Sequence, residues 1–263
     1  MESNNHHYSW MPRSNRLYYT RKGMQGKELV MIDPATQAEE VLAHNLPDGW
    51  FSFAPTEDFL LFNITEEGPK KGEDLQEILV PDDRQPGWRT RSFIHKYDLA
   101  TGVFQRLTYG HTSTSINDIS DDGRYLLFTC SERELTKRPF STTLLYRMDL
   151  QTLDTELLLK DPFISYAQFS PDGKELAFIE DRIRLMVLNL ETKKVRQITD
   201  GSTWYSTGGG FDYAWSPDGK WFTLEFTGNK HDPYSDIGLV SAEGGKDIIN
   251  LTNSGYMSGY PHF

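Results

Sequence analysis

The chain has 263 residues and a formal net charge of −11, enough length for one repetitive domain or two ordinary ones. That acidity leaves no broad basic face for phosphates, so nucleic acid and anionic membrane surfaces are not expected partners. No run approaches the ~18–20 apolar residues of a membrane span. Aromatics at 13%, with 21 Gly and 13 Pro, favour strands and turns over helices.

The first residues, "MESNNHHYSW", lack the basic and apolar regions of a signal peptide. The expectation is a cytoplasmic protein, or one whose signal has been removed and replaced by a short added leader. Cys130 is the single cysteine, which excludes an intrachain disulfide and leaves the redox compartment open. It follows the apolar run "YLLFT" and reads as a buried, inert thiol.

In chain order, one pattern recurs five times: "WMPRSNRLYY" from Trp10, "FAPTEDFLLF" from Phe53, "ISDDGRYLLF" from Ile119, "FSPDGKELAF" from Phe169 and "WSPDGKWFTL" from Trp215. The heading residues are spaced by 43, 66, 50 and 46. In each copy an aromatic residue or Ile ends one strand, a polar turn follows and an apolar strand begins. In "SPDG" the Pro pre-sets φ, the Asp bonds nearby backbone and the Gly supplies the left-handed conformation. The first two copies keep the strand but lack the Asp-Gly pair.

A second element follows each copy, as an apolar strand that ends at Asp33, Asp98, Asp149, Asn189 or Ser241. These short side chains suit a tight turn because they accept hydrogen bonds from the next backbone N–H groups. Each unit therefore reads as four strands joined by hairpins. The predicted fold is all-β, a five-bladed β-propeller of four-stranded antiparallel blades. It forms one domain over 1–263, with blades at about 8–46, 47–110, 111–161, 162–201 and 202–254. A two-sheet sandwich would not explain why the same two turns recur in the same order.

The units differ mainly in their loops. The second holds an insertion centred on 64–92, in which "EDLQEILV" predicts one short amphipathic helix stopped by Pro81. The third has a smaller charged insertion at 131–139. At the far end "YMSGYPHF" (256–263) matches the start of a sixth unit, with Phe263 at the heading position. It is expected to be an extra closing strand that competes with "HYSW" for the innermost place.

With "FSPDGKELAF" and "WSPDGKWFTL" in view, the chain resembles the PD40 or TolB-like, WD40-like propeller repeats over nearly its whole length. Units one to three resemble the propellers of dipeptidyl-peptidase and prolyl-oligopeptidase relatives. Units four and five, with "IRLMVLNLETKKVRQITDGS", resemble those of tricorn-type peptidases. The resemblance implies a propeller beside a separate catalytic domain, often in the periplasm. Five units, no catalytic half and a change of character near residue 178 point to a fragment or an engineered recombination.

The chemistry-bearing residues are sparse. No G-x-S-x-G elbow occurs, so peptidase activity is not carried over. Glu66-Glu67 reads as a solvated pair rather than an amine-binding motif. The histidines are scattered, and His231-Asp232 reads as a surface loop, so no metal site and no cofactor are expected. "STGGGFDY" (206–213) precedes a strand rather than a helix and reads as a flexible lead-in to the fifth blade.

Propellers bind at the axis, where innermost strands converge. The candidate binding residues there are Trp50, Asn117, Tyr166, Asp212 and Tyr213, an aromatic and acidic mouth suited to a peptide or a cation. The leading expectation is a non-catalytic binding or scaffold module whose partner is a peptide or a missing catalytic domain. The alternatives are a stand-alone propeller lyase or hydrolase with an axial acid/base or metal site, and a protein-interaction propeller.

Overall fold

The computed structural model describes residues 7–67, 90–134, 136–202, 211–227, 234–245, 247–253 and 255–263. Every regular element among them is a strand, and the strands form five sheets of four. Sheet one holds β1 (Ser9–Trp10), β2 (Leu17–Gly23), β3 (Gly26–Ile32) and β4 (Glu39–Ala43). Sheet two holds β5 (Trp50–Phe53), β6 (Phe59–Glu66), β7 (Arg91–Asp98) and β8 (Phe104–Arg106). Sheet three holds β9 (Thr114–Ile119), β10 (Tyr125–Arg133), β11 (Ser141–Asp149) and β12 (Thr155–Asp161). Sheet four holds β13 (Ile164–Phe169), β14 (Glu175–Glu180), β15 (Arg184–Asn189) and β16 (Val195–Gln197). Sheet five holds β17 (Tyr213–Trp215), β18 (Trp221–Phe226), β19 (Asp236–Ser241) and β20 (Ile249–Asn250). Each sheet is an antiparallel meander in chain order, so the molecule is a five-bladed β-propeller, as the repeat predicts.

The recurrent turns explain the meander. In the fourth blade Gly173 N–H donates to Ser170 O at 2.8 Å with Gly173 at φ +69°. The buried Ser170 hydroxyl donates to Asp172 at 2.7 Å and accepts from Glu175 N–H at 3.0 Å. Ser120 with Asp122 and Ser216 with Asp218 repeat this arrangement. The second turn is equally uniform: Asp33 accepts from Ala35 N–H at 2.8 Å, Asp98 from Thr101 N–H at 2.8 Å, and Asp149 from Gln151 N–H at 2.9 Å. Four residues after each of these aspartates the chain is left-handed, at Gln37 (φ 59°), Gly102 (φ 70°) and Leu153 (φ 64°).

Burial follows the seams between blades. Strand alternation gives the central strands of blades two, three and four apolar residues on both faces, and these pack on the neighbouring blades. Leu29 and Met31 meet Phe53 and Phe62 between blades one and two. Phe59, Leu61 and Ile94 meet Leu126 and Phe128 between two and three. Leu127 and Leu145 meet Phe169, Leu176 and Phe178 between three and four. Ala177, Ile179 and Val187 meet Tyr213, Phe222 and Leu224 between four and five. Among the described residues no such cluster joins blade five to blade one. The heading residues register this: Phe53, Ile119 and Phe169 are 9%, 7% and 7% exposed, whereas Trp10 is 59% exposed.

Three expectations are corrected. Residues 256–263 form no strand; instead Ser258 N–H donates to Ser235 O and Tyr260 N–H to the Glu225 carboxylate, so the tail is tied to blade five by isolated contacts. Glu66 is solvated but not bare: it ends β6 and Arg106 donates to it at 2.8 Å, while Glu67 beside it is exposed. Cys130 is only half-buried, because the second and third blades do not close over it. The helix predicted at 73–80 and the pair His231-Asp232 lie outside the described residues.

Candidate functional site at the axial mouth

The first strand of each sheet pairs on one side only, and adjacent first strands approach each other, as where Phe169 N–H of β13 donates to Asp118 of β9 at 2.7 Å. The candidate residues lie on or next to these strands. Trp50, Tyr166 and Asp212 occupy one repeat position, three residues before their heading residues, while Asn117 and Tyr213 lie two before. The structure separates the two groups.

Trp50 opens β5 and is 65% exposed; Tyr166 is 55% exposed. Both rings are thus open to solvent and available for contact. Tyr166 owes its exposure to an irregularity: pairing of β13 with β14 shifts between Ser165 and Gln168, and Tyr166 takes φ +52°. The bulge turns its ring out of the seam. Asp212 is half-buried just before β17.

Asn117 and Tyr213 face the protein. Asn117 sits at the β9 bulge, where Ile116 and Asp118 pair with Phe128 and Leu127, and its amide donates to the Thr129 hydroxyl at 3.4 Å. Tyr213 is 6% exposed, and its hydroxyl donates to the backbone carbonyls of Tyr166 and, at 3.0 Å, Ala177. Burial raises its pKa well above the usual phenol value, with the Asp118 charge adding to the effect. Tyr213 therefore bridges blades four and five rather than offering a polar tip to a ligand.

Sequence reasoning chose Asn117 and missed its neighbour. Asp118 shares the β10 face of Leu127 and points into the seam with blade four. It is half-buried, and desolvation there pushes its pKa up to about 7, partly offset by the Phe169 and Ile119 N–H groups. The clue in the sequence is a carboxylate one residue before a heading residue, where the other units carry Ser9, Ser52, Gln168 and Ala214. Among the described residues no group of three or more His, Cys, Asp or Glu side chains is placed to hold a metal ion.

Residues 120–227 match the dipeptidyl peptidase IV (DPP IV) N-terminal region. The match crosses residue 178, so that likeness extends into the fourth and fifth blades. Comparison with curated proteins returns no match. Among solved structures the chain is similar to TolB from Acinetobacter baumannii, at 17% identity and TM-score 0.52 over 94% of this chain and 52% of that one. It is similar to oligogalacturonate lyase from Vibrio parahaemolyticus, at 15% identity and TM-score 0.59 over 89% and 61%. It is also similar to the tricorn protease, at 11% identity and TM-score 0.51 over 95% and 27%. The chain thus spans about half the length of that TolB and a smaller share of the protease. The protein is a β-propeller whose likeness runs to TolB and to the propellers associated with peptidases.

Proposed function

We propose that this propeller is a non-catalytic binding module whose axial mouth takes an extended peptide carrying basic and aromatic side chains. The reading rests on one contrast. Trp50 and Tyr166 present exposed rings at the same repeat position as Asp212, while the Tyr213 hydroxyl and the Asp118 carboxylate are taken up by backbone groups. Aromatic faces beside a carboxylate suit a cation and a ring. Opposite Trp50, Asn63 keeps a buried side-chain oxygen with no partner among the described residues. In a peptidase setting the peptide would be on its way to a separate catalytic domain, and a periplasmic location accompanies that reading.

Isothermal titration with the peptide Lys-Lys-Phe-Lys-Lys tests it. Binding should weaken about tenfold in Trp50→Ala, the loss of one ring–cation contact, and should weaken further with salt. Equal affinity in Trp50→Ala overturns the reading.

A stand-alone enzyme is the second reading: Asp118 is half-buried on β9 beside the candidate residue Asn117, and its carboxyl, pushed up to about 7 by desolvation, suits general acid/base work. Turnover of a peptide or of oligogalacturonate that disappears in Asp118→Asn would establish it in place of the first.

A further inference from the structure

The seam between blades two and three is not filled along its length. A cavity of about 400 Å³ opens there, within the range of small-molecule sites. Blade three supplies its floor from β10, β11 and β12, and Leu107, Thr108, Tyr109 and Thr112, on the link from blade two to blade three, supply the wall. Its lining carries no Lys, Arg, His, Asp or Glu, in a chain of net charge −11.

The floor is aromatic: the Phe128 and Tyr146 rings stack at 5.3 Å with 14° between their planes. Hydroxyls stand around it. Thr108 and Thr114 bond each other at 2.7 Å and are occupied. The Tyr146 and Thr155 hydroxyls have no protein partner among the described residues. Tyr109 forms part of the rim, its own hydroxyl held by Arg106 O at 3.2 Å and its ring by the Arg106 guanidinium.

We infer that this cavity is a second binding site, separate from the axial mouth, for an uncharged small molecule with a flat apolar body and one or two hydrogen-bonding groups. A charged ligand would be desolvated there without a counter-charge, which costs several kcal/mol. A flat ring would lie on the Phe128–Tyr146 floor and meet the two unpartnered hydroxyls at its edge.

Cys130 lines the same cavity and is the only thiol, so it reports on occupancy. The full chain is titrated with N-phenyl-1-naphthylamine, an uncharged fluorescent amine, and with the anionic 1-anilinonaphthalene-8-sulfonate. The reaction rate of Cys130 with iodoacetamide is followed in parallel. The neutral dye should bind one per chain and slow alkylation at least about fivefold at saturation, while the anionic dye does neither. Thr155→Trp places an indole in the cavity from an exposed position and should abolish both effects with the thermal transition retained. Thr155→Val keeps the volume and should weaken binding by about three- to tenfold, the loss of one hydrogen bond. Failure of the neutral dye to bind, binding that leaves Cys130 unprotected, or binding unchanged in Thr155→Trp overturns the inference.

Discussion

Asp118 of β9 accepts the Phe169 N–H of β13 at 2.7 Å, tying the innermost strands of the third and fourth blades through a carboxyl that burial pushes up to about 7. The folded protein therefore keeps a proton on Asp118 over a range in which the unfolded chain has lost it. Stability falls as pH rises from the ordinary carboxylate range to about 7, and levels off above that. Asp118→Asn keeps an acceptor for Phe169 and removes the titration. Its melting temperature should exceed that of the parent at pH 8, and the gap should close toward pH 4. A gap independent of pH would show that the carboxyl titrates normally.

The turn aspartates act in the opposite sense. Ala35 and Thr36 N–H groups hold Asp33 below the usual carboxylate range, and the Thr101 hydroxyl and N–H do the same for Asp98. Their contribution is complete above the unfolded carboxylate pKa and is lost as pH falls through the lower folded values. Replacing Asp98 with Asn, which retains an acceptor, should flatten the acid limb of a melting-temperature profile below about pH 4. An unchanged acid limb counts against that assignment.

The hydroxyl of Ser170 closes the turn that heads blade four, bonding both Asp172 and Glu175 N–H while 4% exposed. Ser170→Ala leaves a backbone donor without this partner and should cost about 1–2 kcal/mol. Calorimetry should place the transition roughly 2–8 °C lower. The same loss is expected for Ser120→Ala and Ser216→Ala, whose turns are built alike.

Heading residues should differ by seam rather than by size. Phe169 lies in the core between blades three and four, so Phe169→Ala should cost about 3–5 kcal/mol. Trp10 is 59% exposed, so Trp10→Ala should stay within about 0.5 kcal/mol. Urea titrations of the two variants measure this directly. A large loss for Trp10 would mean that blade one is packed on that face in solution.

Gln37 occupies the left-handed position (φ 59°) that Gly102 fills in the next blade. A side chain there costs about 1 kcal/mol, which glycine avoids. Gln37→Gly should raise stability by roughly that amount and Gly102→Ala should lower it. Denaturant midpoints at constant slope test the pair.

The repeat, the four-strand unit and the two turns were legible in the sequence because they depend on local chemistry. Pro171, Asp172 and Gly173 act on their own backbone, as do Asp33 and Asp98, and the alternation in "ELAFIE" marks a strand whatever lies beyond it. The place of Trp50 at the start of a first strand followed from the same periodicity. What lies across a seam is long-range, and only the tertiary structure decided it. The bulges in β9 and β13 depend on pairing register, and they turned Tyr166 outward and aimed Asp118 inward. The seam also chose between two tyrosines of similar pattern, leaving Tyr166 exposed and burying Tyr213 under carbonyls of blade four. Cys130 follows a run typical of burial, yet incomplete contact between two blades left it beside a cavity, since burial belongs to the packed pair and not to the strand.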